Sequence, residues 1–458
     1  VIWISCPMTD GDRIGARRAA ADPTPPSPQE NLRFADVPEE AYDRYYRVFS
    51  NSVLWSLQHY LWDISSEPNI NSGIYDAWYN GYVTANQLVA DAVVDAIGQP
   101  AARPMVFFQD YHLYLVAGQV RERLPGALLQ HFIHIPWPAP RYWALLPEEF
   151  RTPILKSLCH NHIVGFQTHR DSHNFLYCCE YLLPGCRVNY RKGTVRFEGG
   201  TTYARAYPIS IDVNAVRATA ASPEAESYLR TLILLRGSQQ TIVRVDRLEP
   251  TKNLLRGFKA FDMLLGRYPQ LAGKVRFWTF LVPSRMELAN YRQYADQVFE
   301  LIGQINARHG NDAWRPIEVF YENNYVQAVA AMTQYDVLMV NSVLDGMNLV
   351  AKEGVSVNQR DGVLILSETA GAFEELGRDA LPVAATDVEG MVRALHYALT
   401  MGRRERRRRA SRLRRVVEQA GLSKWVGSQM EDMHVLASGG RLSPQHSRPV
   451  SAPAPRAR

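Results

Sequence analysis

Apolar residues along this chain fall into two rhythms that alternate. Continuous apolar runs bounded by turn residues, at 106–109, 128–134, 163–167, 241–246, 275–282, 317–321, 337–341 and 363–366, predict buried strands. Between them apolar positions recur with the helical period, as from His112 onward and in the stretch that ends near Leu183, and predict amphipathic helices. A strand apolar on both faces and followed by a helix predicts a parallel sheet, because a parallel neighbour is reached only through a crossover. A hairpin-like patch at 187–207 and the connector at 210–214 divide the strands into two series. The expected architecture is therefore α/β, two Rossmann-like lobes facing each other across a cleft, with ligands held outside the carboxyl ends of the strands. The lobes are expected at 1–212 and 213–400, with a helix over 401–438 returning to the first lobe and a disordered tail at 439–458. The Pro-, Asp- and Ser-rich stretch 22–38 is expected to be a surface loop.

Composition narrows the class. With 458 residues, 46% apolar and 21% charged, the chain can bury sizeable cores, which excludes disordered, collagenous and disulfide-stapled proteins. No apolar run approaches the roughly 18 residues that span a bilayer. The N-terminal stretch carries Asp10, Asp12, Arg13, Arg17 and Arg18 without a secretory core, so a soluble, cytoplasmic protein is expected. Cys6, Cys159, Cys178, Cys179 and Cys186 lie mostly in apolar segments and read as reduced core thiols. His160, His162, His169 and His173 crowd in among the last four, but no CxxC pair accompanies them and no metal is expected. The net charge of +5 is local, because Arg403 to Arg415 holds nine Arg and one Glu. With Leu413, Val416 and Val417 interleaved and no aromatic residues alongside, this run reads as a solvated helix face rather than a nucleic-acid or membrane surface. Neither GxGxxG nor GxxxxGK[ST] occurs, so no dinucleotide fingerprint or P-loop supports a dehydrogenase or kinase.

Three constellations at predicted strand ends carry candidate chemistry. DGMNLVAKE (345–353) places a short turn and a helix start directly after a strand. The backbone at Gly346, Met347, Asn348, Leu349 and Val350 is then placed to hold a diphosphate or sugar hydroxyl, with Glu353 facing a ribose. The same pattern also fits an ordinary strand–helix turn capped by Asp345. In VDRLEPTKN (245–253), Arg247 and Lys252 flank one strand end and suit a diphosphate leaving group, or else pair with Asp246 and Glu249 at the surface. FFQDYHLYLV and HFIHIPWP offer Asp110 and His134 as ligands for sugar hydroxyls, although a lone histidine before two prolines ordinarily reads as buried and satisfied. Asp110 and Glu353 fall on different lobes, which excludes a paired-carboxylate glycosidase.

YYRVFSNSVLWSLQHY (45–60), AWYNGYVTAN (77–86), DYHL (110–113), HIPWP (134–138), VGFQT (164–168), VDRLEPTKN, PSR (283–285), DGMNLVAKE and GVLILSETAGA (362–372) occur in an order that resembles the trehalose-6-phosphate synthase family. Those are retaining glucosyltransferases of the GT-B fold. The resemblance spans residues 40–400 and implies a role for each matching position. Arg247 and Lys252 hold the donor diphosphate. Glu353 holds the ribose, Asp345 with the amides from Gly346 to Val350 the donor sugar and phosphate, and His134 the glucose hydroxymethyl. Tyr46, Trp55, Asp110 and Arg285 bind the glucose-6-phosphate acceptor, Arg285 reaching across the cleft from the other lobe. The implied donor is a nucleotide-glucose, UDP-glucose first among them, with no metal and no other cofactor required. The chemistry needs no protein nucleophile, since the departing phosphate takes the acceptor's proton. Nucleic acid and membranes are not expected as partners, and a homo-oligomer is compatible with the resemblance.

Departures from the family pattern lie beside these ligands: Gln109 in place of a His, EPTKN in place of DYxKG, and HIPWP in place of HIPFP. They leave glucosylglycerol-phosphate or validoxylamine-type synthesis, or a non-catalytic sugar-phosphate sensor, as alternatives. The family also opens with a strand and a Gly-rich loop, roughly 30 to 40 residues that this sequence lacks before its VIWISC strand. From that difference weakened transfer with retained nucleotide binding is expected.

Overall fold

The alternation of strands and helices resolves into two α/β units. The structure, a computed structural model, describes residues 1–7, 9, 11–15, 31–98 and 103–445. One unit takes Val1–Tyr207 together with the described residues from Ser428 onward, and the other Pro208–Gly427. The division thus falls at Tyr207/Pro208, where sequence reading places it at 212/213. Helix Arg403–Gln419 belongs to the second unit, because its Leu413 and Val417 are buried in that unit's core. Only the latter part of the next helix, Leu422–Ala437, belongs with the first.

In the first unit, β1 (Trp3–Ser5) pairs in parallel with β2 (Leu32–Phe34) as a separate two-stranded sheet. Residues 32–34 are therefore strand rather than surface loop, while 22–30 of that predicted loop lie outside the described residues. The main sheet comprises β3 (Met105–Gln109), β4 (Leu128–Ile133), β5 (Ile163–Phe166), β6 (Arg187–Asn189), β7 (Thr194–Phe197) and β8 (Gly200–Ala206), in the order β3-β4-β5-β8-β7-β6. The first four in that order are parallel, and β6 and β7 add an antiparallel extension. Strands β4 and β5 are buried at every residue, as their unbroken apolar runs require.

The predicted disordered tail is in part anchored. Arg205 Nη1 donates to Ser443 O at 2.6 Å, and the Ala206 N–H donates to Gln445 Oε1 at 2.7 Å. Residues 446–458 of that tail lie outside the described residues. The motif at 45–60 winds mainly as a π-helix, Arg44–Leu54, packed against a second π-helical stretch, Trp78–Val83. A Cβ at Gly81 would come within 2.6 Å of Arg44 Cβ and 2.7 Å of Tyr45 N, so only glycine permits this approach. Phe49 then packs against Trp78 and Tyr82, with ring centroids 4.8 and 4.9 Å apart, fixing the helix that carries Tyr46.

The second unit has one parallel sheet of β9 (Gln240–Arg247), β10 (Val275–Val282), β11 (Ile317–Tyr321), β12 (Val337–Val340), β13 (Val363–Ser367) and β14 (Leu381–Val383). Their order, β11-β10-β9-β12-β13-β14, is the doubly wound 3-2-1-4-5-6 arrangement, which reverses between β9 and β12. Pairing across this reversal ends at Val243/Leu338 although both strands continue, so their carboxyl ends part. That is where this topology places a ligand.

Most of the arginine run is exposed, as a solvated face would be, but Arg406, Arg409 and Arg414 are bound into the second unit. Arg409 Nη1 donates to the carbonyls of Asp379 and Ala380, Arg414 to that of Asn358, and Arg406 to that of Asp361. Arg406 also pairs with Asp336 at 3.1 Å. These guanidiniums satisfy loop carbonyls that the apolar interior would otherwise strand. The five cysteines carry free thiols. Among the described residues, no helix is long and apolar enough to cross a membrane.

Candidate active site

Where β9 and β12 part, Lys252 Nζ lies 2.6 Å from Asp345 Oδ2. Burial works against the ammonium, but Asp345 and then Glu249 outweigh it and raise the Lys252 pKa. Asp345 also accepts from Asn348 Nδ2 at 3.1 Å and from the Ser342 hydroxyl at 3.3 Å. Arg247, half exposed at the end of β9, pairs with Glu249 at 3.1 Å. Two cations predicted from one strand end thus converge on a site framed by two carboxylates.

Asp345 is not the cap of the following helix, Leu349–Val357. That part falls to Asn348, whose side chain accepts from the Ala351 N–H at 3.0 Å from a left-handed backbone at φ 79°. Asp345 is turned instead toward Lys252. Gly346, Met347 and Asn348 are buried, whereas Leu349 is exposed and Val350 half-buried. The turn is closed from behind by the Gly371 and Ala372 amides, which donate to Asp345 O at 2.9 Å and Met347 O at 2.7 Å. A Cβ on Gly371 would collide with the Gly346 carbonyl, which accounts for the glycine in the SETAGA segment. Leu349 and Val350, in the first turn of the helix, present amides without an intrahelical acceptor. Glu353, further along, accepts from the Tyr325 hydroxyl at 3.2 Å, and burial raises its pKa against that hydrogen bond.

Beneath these groups lies Arg244, a fully buried arginine that sequence reading gave no part. Its Nε donates to Asp246 Oδ2 at 2.8 Å, and its Nη2 to Lys252 O at 3.0 Å and to Asn341 Oδ1. A Cβ on Gly257 would collide with its Nη1, so this glycine makes room for the guanidinium. One arginine thereby joins the ends of β9 and β12 to the backbone of Lys252. The signal was present in TIVRVD, a charge inside an otherwise apolar strand. Arg285 stands at φ 48° after β10 and donates to the Tyr291 hydroxyl at 2.9 Å.

The remaining predicted residues belong to the first unit. Asp110 follows β3 at φ 66°, and its carboxylate accepts from the His134 N–H at 3.1 Å. Its carbonyl accepts from His131 Nε2 at 2.9 Å. Burial pushes the Asp110 carboxyl up to about 7 against the hydrogen bonds of the His134, Tyr111 and Ile135 amides. His134, after β4, donates through Nε2 to Gln109 Oε1 at 2.9 Å and accepts at Nδ1 from Gln167 Nε2 at 3.4 Å. Burial holds its imidazole neutral, with a pKa lowered to about 4. Gln167 is a partner that sequence reading left without a role, although it sits in VGFQT at a strand end. Tyr46 stacks on His112 with centroids 5.4 Å apart, and Trp55 packs against Tyr111 at 5.8 Å. Tyr111 and His112 directly follow Asp110, so the structure brings Tyr46, Trp55 and Asp110 to one place. Among the described residues, no group of three or more His, Cys, Asp or Glu side chains is placed to hold a metal ion.

Comparison with known proteins adds an independent line. The sequence profile of Glycosyltransferase family 20 matches residues 1–435. The trehalose-6-phosphate synthase of Salmonella choleraesuis (strain SC-B67) is 32% identical over 404 residues, covering 87% of this chain and 81% of that protein. Among solved structures, an α,α-trehalose-phosphate synthase (UDP-forming) from Burkholderia xenovorans in complex with glucose-6-phosphate superposes with a TM-score of 0.78 at 30% identity. It covers 88% of this chain and 85% of that one. A trehalose-6-phosphate structure from E. coli bound with UDP-2-fluoro glucose gives a TM-score of 0.82 at 28% identity, covering 97% and 99%. The likeness, together with two α/β units each built on its own largely parallel sheet, agrees with the expected GT-B fold.

Proposed function

Because the chain belongs to glycosyltransferase family 20 and is a hexosyltransferase, we propose that it transfers glucose from UDP-glucose to glucose-6-phosphate with retention, forming α,α-trehalose-6-phosphate. The observation that carries this reading is the convergence of Arg247, Lys252, Asp345 and a helix N-terminus at the strand-order reversal of the second unit. The ligands of the Burkholderia and E. coli structures support the acceptor and the donor.

Each group has work suited to its chemistry. Arg247 and Lys252 neutralise the diphosphate, whose charge rises as the bond to the glucose anomeric carbon breaks. Lys252 has three donors, so it serves the phosphate while keeping Asp345. Asp345 and the amides from Gly346 to Val350 orient the sugar and the phosphate, and Glu353 accepts from a ribose hydroxyl. His134, neutral and oriented by Gln109 and Gln167, makes hydrogen bonds to the glucose hydroxymethyl without bringing a charge. Tyr46, Trp55, Asp110 and Arg285 bind glucose-6-phosphate. As the anomeric carbon–phosphate oxygen bond breaks, a bond from the acceptor hydroxyl forms on the same face, and the acceptor's proton passes to the departing diphosphate. Neutralisation by side-chain cations makes the reaction independent of added metal.

The test is mass-spectrometric and NMR product analysis with UDP-, GDP- and ADP-glucose against glucose-6-phosphate, glycerol-3-phosphate and a cyclitol phosphate, with and without EDTA. The expected product is the α,α-linked disaccharide phosphate from UDP-glucose, at a rate unaffected by the chelator. Binding of glucose-6-phosphate without consumption of any donor identifies a sensor instead. Turnover only with another acceptor overturns the substrate assignment.

A further inference from the structure

Between the two cations of VDRLEPTKN stands Glu249, whose side chain is wholly buried. Its Oε1 forms an ion pair with Arg247 Nη2 at 3.1 Å and accepts from the Thr251 hydroxyl at 2.8 Å, and its Oε2 accepts from the Ser284 hydroxyl at 3.3 Å. These partners come from three segments: the end of β9, the turn Pro250–Lys252, and the turn after β10 that bears Arg285. The two strand ends are neighbours, with Arg247 opposite Val282 in the ladder and the Leu248 N–H donating to Val282 O at 2.8 Å. A buried carboxylate persists as an anion only where such donors and cations surround it. Its removal therefore withdraws the anchor from every group that it holds.

We propose that Glu249 is a positioning residue which fixes Arg247 and the Ser284–Arg285 turn through one buried carboxylate, so that recognition of donor diphosphate and acceptor phosphate is coupled inside the second unit. The inference rests on the function proposed above. A guanidinium tethered at one edge loses less rotamer freedom when it meets a phosphate, and that is where the affinity arises. The Ser284 hydroxyl extends the same constraint to the residue preceding Arg285, whose left-handed backbone needs its turn held.

The experiment is a double-mutant cycle on the full chain, comparing Glu249→Gln in the native and Arg247→Ala backgrounds. Binding of UDP is followed by calorimetry, and the glucose-6-phosphate KM by product formation. Glutamine keeps the volume and one acceptor but removes the charge. In the native background UDP affinity should fall about tenfold, and in the Arg247→Ala background less than about twofold, since the carboxylate acts through that arginine. The acceptor KM should rise about fivefold, non-additively with Arg285→Ala, and Glu249→Asp should restore part of both effects. Equal losses in the two backgrounds, the signature of a merely structural residue, overturn the proposal. The labelling rate of Arg247 by phenylglyoxal, read by peptide mass, separates this inference from the functional reading. If native protein binds no UDP, the functional reading falls. If Arg247 is labelled no faster in Glu249→Gln than in native protein, the positioning role falls whatever binds. Should Glu249→Gln fail to fold, Ser284→Ala takes its place, with a raised acceptor KM and unchanged UDP affinity expected, and an unchanged KM overturning the coupling.

Discussion

At the end of β4 in the first unit, His134 is a neutral imidazole held between two glutamine side chains, and Asp110 beside it has its carboxyl pushed up to about 7 by burial. At the end of β9 in the second unit, Lys252 is charged and paired with Asp345, and Glu249 is held below the usual carboxylate range. For Glu249 burial opposes the anion, but Arg247, Lys252 and the Thr251 hydroxyl outweigh it. The same strand-end geometry has produced groups shifted toward their uncharged forms in one unit and, at Lys252 and Glu249, groups held in their charged forms in the other. The difference lies in the partners: amides alone do not offset the desolvation of Asp110, whereas opposite charges do so for Glu249 and Lys252. Groups shifted toward neutrality suit sugar hydroxyls, and charged Lys252 and Arg247 suit a phosphate.

This contrast is broken most severely by removing a cation from the second unit. Arg247→Ala and Lys252→Ala should each slow glucosyl transfer about a hundredfold, the equivalent of about 3 kcal/mol of transition-state stabilisation. His134→Gln, which substitutes one neutral donor for another, should cost about tenfold or less. Steady-state rates with saturating donor check the order, and an equal loss in all three variants erases the distinction between the clusters.

Acid should separate the units next. His131, His134 and His162 in the first unit all have pKa values lowered from 6.5 to about 4, by burial foremost. A histidine depressed in the fold gives stability that is complete above its unfolded value and is lost as pH falls toward the folded one. For fully buried His131 the loss between pH 6.5 and 4 is up to about 3 kcal/mol. Asp110 has the opposite sign, raised from 3.8 to about 7, so it favours the fold at low pH and loses that contribution as pH rises through about 7. Three histidines against one carboxyl leave a net loss on acidification. Glu249, lowered from 4.5, keeps its contribution until pH falls below that value. Hydrogen exchange by peptide mass at pH 6.5 and 4.5 should therefore show β3 to β5 losing protection while β9 and β12 retain theirs. Simultaneous loss in both sheets contradicts this.

The smallest effect sharpens the picture of the turn at 345–350. Asn348→Ala removes the cap of Leu349–Val357 and a donor to Asp345, and should lower stability by about 1 kcal/mol. Thermal unfolding measures the first effect. A rise in the KM for UDP-glucose, with the glucose-6-phosphate KM unchanged, measures the second.

Several of these positions were legible before any coordinate. Parallel strands buried on both faces leave unbroken apolar runs, so β4, β5, β10, β12 and β13 were visible as strands, and doubly wound topology puts chemistry at their carboxyl ends. That rule places Arg247, Lys252 and Asp345 near strand ends, where the structure has them, and the ordered motifs gave the family. The π-helical form of Arg44–Leu54 was not legible, because its crossing depends on Gly81, far along the chain. Nor was the anchoring of Ser443 and Gln445 on β8, where each supplies an oxygen to a donor more than two hundred residues away.

What the sequence by itself determined is which residues must be inside and which chemical groups stand at the ends of strands, since both follow from local periodicity. Only the tertiary structure decided their states: Arg244 buried as a strut, Glu249 ionised beneath two loops, Asp110 shifted toward its neutral form, and Asn348 rather than Asp345 as the cap. A side chain's charge and orientation depend on desolvation and on partners brought from other strands. That sum is settled by packing, and no single stretch of sequence contains it.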